Sequence, residues 1–405
     1  MAAAILIGID LGTTFVKAVV LDAAGGAQRG RGRVRTPWRA VSTGAEIDPS
    51  ALVDAALGAV HEALAEVDGE VAAVGVTGMA ETGVLLDVAG APVTAAIAWH
   101  DSRGEEQAGA MARALGAQTF AATTGLAPSA LCTLAKYRWL ADHDPEACAR
   151  GVRWLGVPEY VVRCLGGDEV AERSLASRTG MLDIVAARWW ASALDWAGVP
   201  DGLLAEPRAA GTPAGRVGDA LERARGAILS VAGHDHMVAA IGAGVSDDDV
   251  LDDCGTAEAL VRAVAPLQRE AIGVAVSAGL SVGWHAVADR HALLSGFGLS
   301  TPLARVLRRI GVDTALERER VDRAAAALDP GEVGVRVEGL HERELSIVGP
   351  ADASAAQVWR AALEATASMR AVRNARFDRL EWSPVVDVAA RGAALVAGAG
   401  AGVTA

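Results

Sequence analysis

The sequence predicts an α/β protein of two lobes that face each other across a cleft. Two observations carry this expectation. An apolar strand runs into an acid, a glycine and a threonine at two distant places, Ile5 to Thr14 and Val250 to Glu258. Around and between them, strand-like runs alternate with helical patterns over 405 residues, a length that allows two or three domains with ample core.

In the first copy, Ile5-Leu6-Ile7-Gly8-Ile9 reads as a buried central strand, and Gly12 lets the backbone turn with its N–H groups outward. Thr13 and Thr14 add hydroxyls. Asp10, at the strand's end, is placed to hold a hydrated cation against phosphates cradled by the turn. A plain β-hairpin shows the same short pattern, so one copy is weak evidence and the second matters. Val16 to Asp22, which includes Lys17, returns as the next strand, and Gly30 to Arg35 supplies a third. Asp48-Pro49 then marks a helix start as N-cap and first-turn proline, with Val53, Leu57, Val60, Leu64 and Val67 on its buried face. Strand Val71 to Thr77 follows, and Val76 to Asp87 reads as strand, polar turn and strand.

Trp189, Trp190 and Trp196 read as helical core, and Pro207 to Gly218 as a linker. Ala227 to Met237 is a strand that turns at Gly233 into a helix with Asp235 near its N-terminus. His234 and His236 flank that acid, but two imidazoles without a third nearby ligand more often pack or hydrogen-bond than bind metal. The second copy, Val250 to Glu258, offers Gly255 and Thr256 as another phosphate turn. Alternating strands are expected from Val274 to Leu294, and a helix from Ser300 to near Gly311. The Glu317-Arg318-Glu319-Arg320 run reads as a solvated helical face, and a long helix carries Val358, Ala362, Ala365, Met369 and Val372.

Bulk properties narrow the class. Hydrophobic residues make up 52% and charged residues 21%, and the formal net charge is −13. The charge argues against a nucleic-acid or anionic-membrane partner. The N-terminus lacks a basic region and Asp10 interrupts its apolar run, so no signal peptide is expected. Val385 to Val403 carries Asp387 and Arg391 and reads as a packed helix rather than a span. Cys132, Cys148, Cys164 and Cys254 form no CxxC pair, which predicts reduced thiols in a cytoplasmic protein without a structural metal.

The two phosphate-type turns, together with Ala96-Ile97-Ala98-Trp99-His100-Asp101-Ser102-Arg103, resemble the FGGY carbohydrate kinases of the sugar kinase, heat-shock ATPase and actin superfamily. The resemblance covers most of the chain. Thr123-Thr124-Gly125, Lys136, Trp139, Pro158-Glu159-Tyr160, Leu165-Gly166 and Glu172 to Thr179 keep it in register. It implies two ribonuclease-H-like lobes, placed here at 1–226 and 227–405. It also implies ATP and Mg2+ as cofactors and a small sugar or polyol as substrate. Asp10, Gly12, Thr13, Thr14, Lys17, Gly255 and Thr256 would then bind nucleotide, with Asp10 and Asp235 at the metal and Asp235 as catalytic base. Phosphoryl transfer to an alcohol asks for little more than a carboxylate, a metal and phosphate donors.

On the substrate side the resemblance points to Glu81, Trp99, Asp101 and Arg103, together with Asp235. Glycerol kinases have an acid at the place of Glu81. The family's usual glutamine is Met79 here, however, and the arginine of glycerol kinases is Ala80. Asp101 and Arg103 either bind hydroxyls or fix their own loop as an ion pair, and Trp99 either faces the sugar or packs in the core.

One family segment is missing. Between Ala367 and Phe377 a strand and its Gly-Gly adenosine turn read as deleted, while the closing helix reappears at Asp387 to Gly398. The expected consequences are weak, base-indiscriminate ATP binding and an unpaired sheet edge that favours a homodimer or lowers stability. The alternative function is a catalytically impaired relative that binds a sugar or a protein.

Overall fold

The computed structural model describes residues 3–254, 258–297, 300–329, 331, 333–340, 344–374, 381 and 383–403. Its largest sheet is built from β1 (Ala4–Leu11), β2 (Phe15–Asp22), β3 (Gln28–Arg35), β4 (Glu70–Gly78), β5 (Pro213–Arg216) and β6 (Ile228–His234). Their order across the sheet is β5-β6-β4-β1-β2-β3. β1, β2 and β3 form an antiparallel meander, whereas β4 runs parallel to β1 and β6 parallel to β4. β1 is buried on both faces, which is why its sequence is an almost unbroken aliphatic run.

Helix α1 (Pro49–Leu64) starts where the sequence signals it. The Asp48 side chain accepts from Ser50 N at 2.9 Å, and Pro49 occupies the first turn. Its face of Leu52, Ala56, Ala59, Val60 and Ala63 covers one side of the sheet with Ile5, Ile7 and Ile9.

On the other side lies α3 (Val388–Gly400), with α2 (Asp235–Ala243) against it. This contact demands small residues. A Cβ on Gly8 would collide with the Ala390 carbonyl oxygen, and one on Gly75 with that of Ala393. Glycines in β1 and β4 thus let the Ala/Gly-rich helix seat directly on the strands. The closing helix, expected within a second lobe at 227–405, therefore packs on the first sheet.

The chain divides into two compact units, one of Met1–Asp253, Leu260–Ser295 and Val385–Ala405, the other of Cys254–Ala259 and Gly296–Pro384. That division does not fall at 226/227, because β6 pairs with β4 in the first sheet. Two other expectations change. The Pro/Gly stretch 207–218 is not a linker, since Pro213–Arg216 pairs with β6 as an edge strand, the one place in a sheet where proline costs no ladder bond. Arg269–Ser277 is a helix and only then do strands Ser281–Trp284 and His291–Phe297 follow; its alternation of Ile272, Val274 and Val276 misled because only Ile272 is buried. Trp196 lies in a helix and Trp189 and Trp190 before it, all three against one apolar cluster.

The second unit has helices Ser300–Arg309, Ala315–Ala326 and Ala355–Asn374 and a hairpin of Arg336–Glu338 with Ser346–Val348. Its core centres on Trp359, whose indole N–H donates to Asp322 Oδ1 at 2.6 Å. Glu317 to Arg320 are exposed on their helix. Among the described residues no strand lies between Asn374 and α3; the part of the expected deletion at 375–380 is outside them.

The seat of α3 is testable. Gly8→Ala should destabilise the protein by about 1–3 kcal/mol or more through overpacking, read as the midpoint of urea unfolding. An unchanged midpoint would contradict the close packing described here.

Candidate active site

Three parallel strands end side by side, with Leu11 of β1 opposite Gly78 of β4, and Gly78 opposite His234 of β6. The segments leaving these ends carry Asp10 to Thr14, Met79 to Glu81, and Asp235. Ligand sites in open α/β sheets lie beyond such carboxyl ends.

Asp10 is 3% exposed, and its Oδ1 is buried without a hydrogen-bond partner. Lys17, its cross-strand neighbour, approaches Oδ2 at 3.5 Å. Burial pushes the Asp10 carboxyl up to about 7; Lys17 pulls it back, and the charges of Asp235 and Asp253 add to the rise. In the following turn the protein takes up the carbonyls. Thr36 Oγ1 donates to Gly12 O at 2.7 Å, Trp38 Nε1 to Thr13 O at 2.7 Å, and Thr36 N to Thr14 O at 3.1 Å. Trp99 Nε1 donates to Thr13 Oγ1 at 3.1 Å, so this tryptophan braces the turn.

Asp235 is the first residue of α2, where the helix dipole favours an anion. Its Oδ1 accepts from His236 N at 2.8 Å and lies 3.2 Å from His234 Nε2. Burial raises its pKa, His236 works against that rise, and Asp253 adds to it. His236 Nδ1 pairs with Asp253 Oδ2 at 2.7 Å. Burial opposes the imidazolium charge, but Asp235 and Asp253 outweigh it and hold the His236 pKa at about 9. His234 is driven well below its ordinary value by burial, then by His236 and Arg178. Ligand atoms of His234, Asp235 and His236 lie within 4.8 Å of one another. The carboxylates of Asp10 and Asp235 are hard oxygen donors suited to Mg2+, and the unpartnered Asp10 Oδ1 fits that use.

The start of α2 is fixed by a buried relay. Ser174 Oγ accepts from His234 N at 2.9 Å and donates to Glu172 Oε2 at 2.6 Å. Glu172 also accepts from Ser174 N and Leu175 N, and Glu172 N donates to Glu159 at 2.7 Å. Burial raises the pKa of both carboxyls, that of Glu159 to about 7.

Glu81 adopts a left-handed backbone, φ 61°, rare for a side-chain-bearing residue. Its carboxylate pairs with Arg178 at 2.8 Å, and Arg178 Nη1 donates to Ser281 Oγ at 2.9 Å. Asp101 and Arg103 take the structural alternative. Arg103 Nε and Nη2 both donate to Asp101 at 2.9 Å, and Nη1 reaches Glu46 at 3.1 Å. Asp101 further accepts from Ala45 N and Thr43, so the pair locks two loops together. The Lys136 ammonium, 2% exposed, donates to the carbonyls of Trp99, Ala130 and Leu131.

Sequence reasoning missed His236–Asp253, Glu81–Arg178 and the Ser174 relay. Each joins residues distant in sequence, or a serine to a backbone N–H sixty residues away, and no local pattern announces such pairs. Gly255 and Thr256 lie outside the described residues.

Comparisons with known proteins give the family. The FGGY family of carbohydrate kinases, N-terminal domain, matches residues 5–242. A xylulose kinase of Streptomyces coelicolor is 35% identical over 257 residues, 60% of this chain and 50% of that protein. A glycerol kinase of Thermococcus gammatolerans is 32% identical over 211 residues, 50% of this chain and 42% of its own length. The chain thus spans about half the length of the curated relatives it matches. Among solved structures, xylulose kinase from Rhodospirillum rubrum superposes with a TM-score of 0.75 at 22% identity, covering 97% of this chain and 84% of that one. The two-lobed, actin-like α/β fold class expected from the sequence is the fold of these kinases. Among the described residues no helix is long and apolar enough to cross a membrane.

Asp10 makes stability depend on pH. Its folded pKa of about 7 lies above the ordinary 3.8, so its contribution favours the folded state fully below pH 3.8 and is lost as pH rises through 7. In metal-free buffer Asp10→Asn should melt higher than wild type at pH 8 and alongside it at pH 4. Equal melting curves at both pH values would contradict the buried, frustrated carboxylate.

Proposed function

Because the chain belongs to the FGGY family of carbohydrate kinases, we propose that it transfers the terminal phosphoryl group of ATP to a hydroxyl of a small sugar or polyol. The observation that carries this reading is the meeting of Asp10, Lys17 and Asp235 at the carboxyl ends of β1 and β6. Relatives named xylulose and glycerol kinases make D-xylulose and glycerol the first substrates to try.

Asp235 takes the proton of the attacking hydroxyl, whose oxygen then bonds to the terminal phosphorus as the bond to the bridging oxygen breaks. A pKa raised by burial makes that carboxylate a stronger base. Asp10, with Asp235, would hold Mg2+. When bound, the ion neutralises charge on the phosphates and orients them for transfer. The turn Gly12-Thr13-Thr14 and Lys17 bind phosphate, and Gly255 and Thr256, outside the described residues, are proposed as further nucleotide-binding residues. Glu81, oriented by Arg178, accepts hydrogen bonds from substrate hydroxyls. Trp99, Asp101 and Arg103 support the substrate side by bracing the turn and its loop. We place the protein in the cytoplasm, and a homodimer is the assembly we propose.

Asp235→Asn keeps size and much of the hydrogen bonding but removes the base. Turnover of ATP with the preferred polyol, followed by ADP release, should fall by roughly 10²–10⁴-fold while the far-ultraviolet spectrum and melting are retained. Turnover near that of wild type would remove Asp235 from the catalytic role, and absence of transfer to any polyol by the wild type would refute the kinase reading.

A further inference from the structure

β3 is the edge strand of the main sheet, and its sequence, Gln-Arg-Gly-Arg-Gly-Arg-Val-Arg, separates two faces. Gly30, Gly32 and Val34 lie against α1. Arg31, Arg33 and Arg35 are exposed on the opposite face. In register they stand beside Val19, Lys17 and Phe15 of β2, and Lys17 in turn stands beside Asp10. One row of the sheet therefore reads Asp10, Lys17, Arg33. The guanidinium of Arg33 lies 3.4 Å from the Phe15 ring centroid and that of Arg35 at 5.9 Å, and Phe15 directly follows Thr13-Thr14. Arg29, displaced by an irregularity in the pairing, is held by Asp22. Among the described residues the guanidinium groups of Arg31, Arg33 and Arg35 have no carboxylate partner; only the Arg33 backbone N–H meets one, donating to Glu62 Oε2 at 2.9 Å.

On a chain of net charge −13, this line of cations starts at the phosphate turn and extends along β3 for roughly 14 Å, at about 3.4 Å per residue. We propose that the stripe Arg31–Arg33–Arg35 is a binding track for a linear polyphosphate anion that runs outward from the Gly12–Thr14 turn. The inference rests on the proposed function only for the identity of that turn. Guanidinium groups suit phosphate oxygens, and a row of them matches a ligand whose charges repeat along a line. Such a ligand carries no base and needs no adenosine pocket. Charged residues also blunt the pairing of edge strands without any ligand, but that role does not require three cations in a line that starts at the turn, with Lys17 beside the middle one.

The test uses the full chain and inorganic polyphosphate of long chain length, with tripolyphosphate and single-stranded RNA as comparison anions, in calorimetry at fixed low salt. The track predicts that long-chain polyphosphate binds at least about tenfold tighter than tripolyphosphate. It also predicts that Arg31→Gln/Arg33→Gln/Arg35→Gln abolishes this preference, whereas the triple Arg→Lys variant keeps most of it. Affinity independent of chain length overturns the proposal, and so does a preference that survives in the glutamine variant. RNA binding as tight as that of polyphosphate overturns it too, as a general polyanion surface. These readouts need no turnover, so a failure here is distinct from a failure of the kinase reading, which is judged by transfer to a polyol.

Discussion

Register between three parallel strands is the constraint on which the rest depends. β1, β4 and β6 end level with one another, so residues separated by more than two hundred positions in sequence emerge together. Asp10, Asp235 and Asp253 then influence one another's charge within one compact unit. Like charges gathered and desolvated disfavour ionisation. The chain answers with two cations, Lys17 on Asp10 and His236 between Asp235 and Asp253. A divalent ion with phosphates would relieve the same repulsion.

Holding that register requires an unusually close fit beneath it. An Ala/Gly helix lies on strands that carry glycine at Gly8 and Gly75, and it packs on α2, the helix that starts at Asp235. The N-terminus of α2 is tied a second time, through Ser174 and the buried Glu172. A turn anchored by packing on one side and hydrogen bonds on the other keeps Asp235 where the sheet places it. Gly233, with φ 121°, makes the tight corner between β6 and α2.

Much of this was legible in the sequence wherever the signal is local. The Asp48-Pro49 helix start, the β1–β2–β3 meander and the strand-to-helix turn at Gly233 are written in neighbouring residues. Asp10 and Asp235 could be singled out because an acid after an apolar run announces the end of a strand. Long-range partners could not. Nothing near Glu81 in sequence points to Arg178, nor anything near His236 to Asp253. The edge strand Pro213–Arg216 reads as a linker because its proline and glycines are also what an edge tolerates. The end of helix Arg269–Ser277, from Val274, reads as strand because Val274 and Val276 alternate, although Val274 is exposed and Val276 only partly buried.

The central claim is that Asp10, with Asp235, forms the metal-phosphate centre at the strand ends. Electron paramagnetic resonance of Mn2+, a spectroscopic substitute for Mg2+, measures this directly in the presence and absence of ATP. The account predicts that ATP strengthens Mn2+ binding to the wild-type protein, and that Asp10→Asn loses this ATP-dependent binding while remaining folded. Binding of Mn2+ and ATP that is the same in wild type and Asp10→Asn would contradict it.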